Sequence, residues 1–183
     1  YPLCGKIVLD HTLTNLFAAK YVSETVIVVS ERDRKDVEGV VRALKPSIPV
    51  KYAIGGAERE DSVYNGLLLT AEDCDIVMVH DGSRPMAGPE WFDNAVSVME
   101  RADAAVYAVP VKDTVKLRED AETTEPQRLK TLNRSRLIAV QTPQIFRRSV
   151  LKKAHEYAKE KGFSGTDDAS LVEACGVPIV VFN

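Results

Sequence analysis

Short apolar runs rich in valine and isoleucine recur along the chain and are separated by longer amphipathic segments. The runs occupy residues 25–30, 50–54, 76–79, 104–109 and 177–182. Continuous apolar runs of this length are typical of strands in a parallel sheet that is covered on both faces. Because amphipathic segments alternate with them, the pattern predicts an α/β fold, a mostly parallel, Rossmann-like sheet flanked by helices.

The segments between the runs carry apolar residues at helical spacing. In chain order, one expected helix begins at an Asp10 N-cap and the next covers residues 31–45. A third opens after Gly55-Gly56 and runs through Leu67 to Glu72. The last three cover residues 89–100, cover residues 149–161 and begin at residues 166–168. Pro46 and Gly176 are the expected stop signals of two of these helices.

The alternation of strands and helices breaks at Pro110, and no long helical pattern follows before residue 141. Apolar and polar residues alternate around Val111, Asp113, Val115 and Leu117, which favours a two-stranded ribbon over a core strand. We therefore expect residues 111–140 to form a protruding β-arm that contacts a partner surface. A long loop without fixed structure is the alternative.

The length and composition of the chain indicate one domain and argue against several classes of protein. At 183 residues the chain is long enough for one domain with its own core, which we expect over residues 1–183. A net charge of −3 gives no positive field to attract nucleic acid, and no apolar run approaches the roughly 18 residues that span a membrane. The three cysteines are scattered, so we expect neither a disulfide framework nor a zinc site, and a cytoplasmic location.

The run at residues 76–79, expected to be a central strand, ends in a group of chemically active residues. Asp81 can hold a divalent metal or accept hydrogen bonds from sugar hydroxyls, and Gly82 allows a ligand to approach the backbone. Arg84 can bind a phosphate through two parallel hydrogen bonds. The alternative is an ordinary turn in which Arg84 is a solvated charge.

A second candidate site follows the strand at residues 50–54. Gly55 and Gly56 form a turn before a helix, whose first N–H groups suit a phosphate or a base edge, and Arg59 and Ser62 add charge and a hydroxyl. The glycine spacing is not that of a P-loop or a dinucleotide fingerprint. The alternative is a tight turn in which Asp61 or Ser62 caps the helix.

Five motifs together resemble the 2-C-methyl-D-erythritol 4-phosphate cytidylyltransferase family. They are Gly55-Gly56-x-x-Arg59-x-x-Ser62-Val63, Val79-His80-Asp81-x-x-Arg84-Pro85, Pro110-Val111-x-Asp113-Thr114-x-Lys116, Gln141-Thr142-Pro143-Gln144-x-Phe146 and Thr166-Asp167-Asp168-Ala169. The resemblance implies a nucleotidyltransferase fold and transfer of CMP from CTP to a sugar-alcohol phosphate, with release of pyrophosphate. It also implies Mg²⁺ as cofactor and a homodimer formed through the arm.

The resemblance also assigns roles to individual residues. It places Gly55, Gly56, Arg59, Ser62, Asp81 and Gly82 at the nucleotide, and Asp81, Arg84, Thr114, Arg134, Thr142 and Thr166 at the acceptor. Thr114 and Arg134 would serve the partner's site, and Arg134 is the expected catalytic residue, which positions the acceptor phosphate. Without the resemblance, Arg134 would be a surface charge of the arm and Thr166 a helix N-cap.

The family's pattern also contains a glycine-rich loop with an arginine and a lysine before the first motif, and a lysine-bearing segment after the last strand. Neither lies within residues 1–183, so we expect this stretch by itself to be a poor catalyst. The alternatives are a ribitol-5-phosphate cytidylyltransferase, a nucleotide-binding module that has lost catalysis and, more distantly, a phosphohydrolase with Asp81 as nucleophile.

Overall fold

The structure, a computed structural model, describes residues 2–119 and 128–182. Its elements follow the predicted alternation of strands and helices. In chain order they are β1 (Pro2–Leu3), β2 (Lys6–Ile7), α1 (Val8–Ala18), β3 (Thr25–Val29), α2 (Arg34–Leu44), β4 (Val50–Ile54), α3 (Arg59–Leu68), β5 (Ile76–Val79), α4 (Pro89–Met99), β6 (Ala104–Pro110), β7 (Lys116–Arg118), β8 (Leu129–Thr131), a 3₁₀ turn (Arg134–Arg136), β9 (Ile138–Arg147), α5 (Arg148–Lys161), α6 (Asp168–Ala174) and β10 (Val180–Phe182).

The main sheet of the described chain has four strands in the order β10-β6-β9-β5. Strands β6 and β10 are parallel, whereas β9 pairs antiparallel with both β5 and β6. Three of the four strands therefore point the same way, and β3 and β4 form a further parallel pair. The predicted α/β class, with a mostly parallel sheet flanked by helices, is confirmed.

Helices cover both faces of the main sheet because neighbouring residues of β9 point in opposite directions. Phe146 faces α5 and α6 and packs with Leu151 and Leu171, whereas Ile145 faces α4 and packs with Met99. All five of these side chains are almost completely buried. The sheet is thus held between two helical layers, which fixes the position of its strand ends.

Strand β5 corrects one expectation, since it is an edge strand of the four-stranded sheet and not a central one. Its four residues are half-buried, and a cavity of about 620 Å³, lined by Val26 and Val28 of β3 and by Val77 and Val79 of β5, separates it from β3. The cavity explains why this run is less buried than its apolar composition predicts. We call it the larger cavity.

Several helix ends also differ from expectation. Helix α1 begins at Val8, so Asp10 lies in its first turn, where its carboxylate forms an ion pair with Lys6 at 3.1 Å. Helix α3 ends at Leu68, before the expected residue 72. Asp167, and not Thr166, is the N-cap of α6, because its Oδ1 accepts the Ser170 N–H at 2.8 Å.

The arm is present as a two-stranded antiparallel ribbon, in which Leu117 of β7 lies opposite Lys130 of β8. Leu117 and Leu129 are exposed on the described part of this ribbon. Residues 120–127, which belong to the predicted arm, lie outside the described residues. No helix of the described chain is long and apolar enough to cross a membrane.

Candidate active site

Five of the predicted site residues meet in a cavity of about 340 Å³ beside the end of β5. The residues that line this smaller cavity come from α3, the loop after β5, β9 and the loop before α6: Arg59, Asp81, Arg84, Val140, Gln141, Thr142, Gln144, Thr166 and Asp167. The antiparallel register pairs Val79 with Gln144, so residues 140–143 of β9 continue past the end of β5, alongside the loop that begins at His80. The pairing of β5 with β9 therefore builds the site.

The larger cavity adjoins the smaller one, since Arg59 and Asp81 line both. Ser62 and Gly82 line the larger cavity, in whose wall most other residues are apolar. The predicted nucleotide residues Arg59, Ser62, Asp81 and Gly82 thus lie on the larger cavity. The predicted acceptor residues Arg84, Thr142 and Thr166 lie on the smaller one.

Arg84 is held at the smaller cavity by two partners. Its Nε donates to Asp81 Oδ2 at 2.8 Å, and its Nη1 donates to Gln141 Oε1. Its backbone N–H also donates to the Asp81 carbonyl at 3.1 Å, which closes the turn. Asp81 and Arg84 therefore form one rigid unit, and Gln141, a motif residue without a predicted role, supports it.

The Thr142 hydroxyl ties β9 to the loop after β5. It accepts the Asp81 N–H at 3.1 Å and lies 3.0 Å from His80 Nδ1. Burial lowers the pKa of His80, so its imidazole is neutral at pH 7 and can accept the hydroxyl proton. Thr142 is buried and lines the smaller cavity, and its hydroxyl anchors the backbone of Asp81. Direct contact of Thr142 with the acceptor stays a prediction.

Gln144 holds the start of α6 against β9. Its Nε2 donates to Asp167 Oδ2 at 2.7 Å and its Oε1 accepts the Ala169 N–H at 3.1 Å. Gln144 is almost completely buried, so both ends of its amide are satisfied by these bonds. This double contact places Thr166, one residue before the cap, at the smaller cavity.

Glu60 fixes the loop that carries Thr166. Its Oε1 accepts hydrogen bonds from Ser164 Oγ and from the Gly165 N–H, both at 2.8 Å. A Cβ at Gly165 would lie 2.3 Å from Ser170 Oγ and 2.8 Å from Leu171 Cδ2, so only glycine allows this approach. Sequence reasoning missed Glu60, because its partners lie more than a hundred positions away.

The glycine turn before α3 uses its polar groups internally. Ser62 Oγ accepts the Gly56 N–H at 3.0 Å and donates to the Glu58 carbonyl at 3.1 Å. The Gly55 N–H donates to the Val29 carbonyl at 3.0 Å. Neither Asp61 nor Ser62 is the N-cap, because α3 begins at Arg59 after Glu58. Gly55 and Gly56 shape the turn and are absent from the described lining of both cavities.

The structure does not bring the two predicted arm residues to these cavities. Thr114 and Arg134 are exposed and do not occur among the described residues that line either cavity. Arg134 Nη1 donates to the Lys112 carbonyl at 2.7 Å within the arm. Thr114 and Arg134 can therefore contact a substrate in these cavities only if the cavities belong to another chain or if the arm moves.

Metal ligands are sparse at the site. Within residues 2–119 and 128–182 there is no group of three or more His, Cys, Asp or Glu side chains that could hold a metal ion. Asp81 remains a candidate single ligand, although Arg84 already occupies its Oδ2. A lone carboxylate fits Mg²⁺, which often binds through one protein ligand, water and substrate phosphates.

A family model and the curated relatives of this chain carry the same description. The family model described as IspD, 2-C-methyl-D-erythritol 4-phosphate cytidylyltransferase, matches residues 1–183. The chain is 43% identical over 166 residues to the 2-C-methyl-D-erythritol 4-phosphate cytidylyltransferase of Bacillus pumilus (strain SAFR-032), which covers 91% of this chain and 70% of that relative.

Solved structures agree with this match. The crystal structure of 4-diphosphocytidyl-2C-methyl-D-erythritol synthase from Anaerococcus prevotii DSM 20548 superposes with a TM-score of 0.90 at 27% identity, covering 99% of this chain and 78% of that one. The crystal structure of 2-C-methyl-D-erythritol 4-phosphate cytidylyltransferase from Thermus thermophilus gives a TM-score of 0.75 at 27% identity, covering 100% of this chain and 80% of that one.

Proposed function

The chain belongs to the 2-C-methyl-D-erythritol 4-phosphate cytidylyltransferase family, and we propose that its two adjoining cavities receive the two substrates of the reaction. The enzyme is a nucleotidyltransferase of isoprenoid precursor biosynthesis. It transfers CMP from CTP to 2-C-methyl-D-erythritol 4-phosphate and releases pyrophosphate. We place the nucleotide on the larger cavity and the acceptor on the smaller one.

The single observation that supports this placement is that Arg59 and Asp81 line both cavities. A phosphate oxygen of the acceptor must attack the α-phosphorus of CTP as the bond to pyrophosphate breaks, so the two sites must meet. The guanidinium of Arg59 at the shared boundary offsets the repulsion between the two anions. The Asp81 carboxylate is an acceptor for hydroxyls of the ribose or of the sugar alcohol.

Arg84 acts on the acceptor side of this boundary. Its guanidinium is already oriented by Asp81 and Gln141, so it binds the acceptor with little further loss of side-chain entropy. Thr166, held by the Gln144 and Glu60 contacts, provides a hydroxyl on the same cavity. Catalysis in this arrangement is mainly positioning and charge neutralisation.

We also propose that the chain acts as a homodimer in which the arm completes the partner's site. Two features support this: the ribbon exposes Leu117 and Leu129, and Arg134 lies away from the cavities described for its own chain. In the dimer, Arg134 and Thr114 of one subunit reach the acceptor in the other. Arg134 then positions the acceptor phosphate for attack.

Mg²⁺ is the proposed cofactor, with Asp81 Oδ1 as the candidate protein ligand atom. When bound, the ion neutralises charge on the triphosphate and on the departing pyrophosphate. The role of this chain's residues is to hold the phosphates and to orient Asp81 through Thr142. The unpaired state of Cys4, Cys74 and Cys175 agrees with the proposed cytoplasmic location.

The test is pyrophosphate release by the complete gene product with CTP and Mg²⁺. We expect turnover with methylerythritol phosphate and a far lower kcat/KM with ribitol 5-phosphate. Arg134→Ala should lower kcat/KM by at least about a hundredfold, since a positioning cation is lost. Arg136→Ala, which removes an exposed arginine from the same 3₁₀ turn, is the matched control and should retain activity. Absence of turnover with methylerythritol phosphate would refute the proposal.

A further inference from the structure

We propose that Asp168 is a positioning residue for CTP, because it holds Arg59 at the boundary of the two cavities. This inference rests on the proposed placement of the nucleotide. Asp168 is the first residue of α6 and is completely buried. A carboxylate in such a place loses its hydration, which must be compensated by close partners.

Two partners contact the buried carboxylate, one at each oxygen. His155 of α5, itself buried, lies with its Nε2 3.1 Å from Asp168 Oδ1. Arg59 lies with its Nη2 2.8 Å from Oδ2 and forms an ion pair with it. The angle of this contact is not that of a hydrogen bond, and the described residues provide no hydrogen bond to Oδ2. The carboxylate is therefore shared between a residue of the core and a residue of the site.

Arg59 differs from Asp168 and His155 because its side chain is 41% exposed and lines both cavities. One nitrogen of its guanidinium is paired with Asp168, and no hydrogen bond from residues 2–119 or 128–182 occupies its remaining N–H groups, which leaves them for a ligand. A free arginine side chain has many rotamers, and fixing one of them on binding a ligand costs conformational entropy. The contact with Asp168 restricts this freedom before the nucleotide arrives.

Asp168 is itself firmly placed. The residue before it is the α6 N-cap, and the Ala169 N–H is bonded to Gln144 of β9. Glu60, next to Arg59, binds Gly165 of the loop that leads to α6. The start of α3 and the start of α6 are thus joined twice, and the position of Arg59 follows from that of Asp168.

The experiment compares Asp168→Asn, Arg59→Ala and the double variant in the complete protein. Asparagine keeps the shape and a hydrogen-bond acceptor but removes the charge that holds Arg59. We expect the KM for CTP to rise about tenfold and the KM for the acceptor to change by less than about twofold. Asp75→Asn, which removes a carboxylate from the Arg147 ion pair away from the cavities, is the control and should leave both KM values unchanged.

The double variant separates positioning from general stability. If Asp168 acts through Arg59, the KM for CTP in the double variant equals that of Arg59→Ala alone. The proposal would be overturned if the increases in the KM for CTP of the two single variants multiply in the double variant. It would also be overturned if Arg59→Ala leaves the KM for CTP unchanged. Melting temperatures of all variants show whether each KM belongs to a folded protein.

If Asp168→Asn does not fold, His155→Gln takes its place, because it removes the contact at the other oxygen, Oδ1, without removing the charge of the carboxylate. We then expect a rise of about threefold in the KM for CTP, and an unchanged KM contradicts the proposal. Calorimetric titration with CTP alone measures binding without turnover. A failure of the positioning role can therefore be distinguished from a failure of the proposed activity.

Discussion

The Thr142 hydroxyl lies 3.0 Å from His80 Nδ1, and it accepts the backbone N–H of Asp81 at 3.1 Å. The two residues are 62 positions apart and belong to antiparallel neighbours, the end of β5 and the middle of β9. One hydroxyl therefore joins the backbone of Asp81 and the ring of His80 to β9.

Thr142→Val tests this relationship, since valine keeps the shape and loses the hydroxyl. The Asp81 N–H and His80 Nδ1 then lack their partner, so we expect a loss of about 1–3 kcal/mol in the free energy of unfolding and a lower kcat/KM. Denaturant unfolding and pyrophosphate release measure the two effects. Thr14→Val, at an exposed position of α1, is the control and should change neither by much. Equal stability of both variants would contradict the assignment.

His80 should make the protein less stable in mild acid. Burial holds the pKa of His80 below its ordinary value of 6.5, so between that value and the folded pKa the unfolded chain binds a proton that the folded chain does not. Stability therefore falls as the pH decreases below about 6.5. His80→Asn, which retains an acceptor near Nδ1, should reduce this pH dependence, as measured by denaturant unfolding between pH 5 and pH 7. An unaltered slope would argue against a buried neutral imidazole.

Gly165→Ala should damage the proposed acceptor site without changing any of the residues proposed to contact substrate. The added methyl would lie 2.3 Å from Ser170 Oγ, so the loop must move and carry Thr166 with it. We expect a loss of about 1–3 kcal/mol in stability and a raised KM for the acceptor. Gly39→Ala is the matched control, because it adds the same methyl to α2 with no atom of the described residues within 4 Å. It should stabilise the protein by about 0.5–1 kcal/mol.

The arm can be tested by mixing two inactive variants. If Arg134 serves the partner's site, then Arg134→Ala and Asp81→Ala chains form mixed dimers in which one of two sites is complete. Random mixing should restore about a quarter of the wild-type activity, because half of the dimers are mixed. Pyrophosphate release after mixing, with sedimentation to confirm the dimer, measures this. No recovery from a confirmed mixed dimer would place Arg134 outside the partner's site.

Tyr107 should make the protein less stable in alkali. Burial raises the pKa of Tyr107 to about 12, and its neutral hydroxyl donates to the Trp91 carbonyl at 2.9 Å. An unfolded tyrosine ionises near its ordinary value of 10.0, so stability is lost as the pH rises from about 10 towards 12. Tyr107→Phe should remove this part of the alkaline loss, as measured by unfolding at pH 9 and pH 11.

Much of the fold could be predicted because the signals are local. Strands β3, β4 and β6 follow from apolar runs, and Gly162 and Gly176 end their helices with φ of +62° and +80°. Strand β9 was not predicted, since Gln141, Thr142 and Gln144 interrupt its apolar pattern. Thr142 and Gln144 are buried in the strand and Gln141 is half-buried, because each bonds a partner from another part of the chain.

The candidate site shows the same division. Arg59, Asp81, Arg84, Thr142 and Thr166 were identified from motifs, and they do line the cavities. The residues that hold these side chains in place were either missed or were motif residues without a predicted role. His155 offered one signal, a polar residue on the apolar face of α5 beside Leu151 and Ala158, which requires a buried partner.

The sequence by itself determined the alternation of strands and helices, the ribbon in the arm and several residues that line the cavities. Periodicity, turn chemistry and charge are properties of neighbours along the chain, and they can therefore be recognised without the structure. Only the tertiary structure decided that β9 runs antiparallel past the end of β5, that Thr142 bonds His80 and that Asp168 holds Arg59. These contacts depend on strand register and on the burial of polar groups. Both are set by packing between segments that are distant in the sequence.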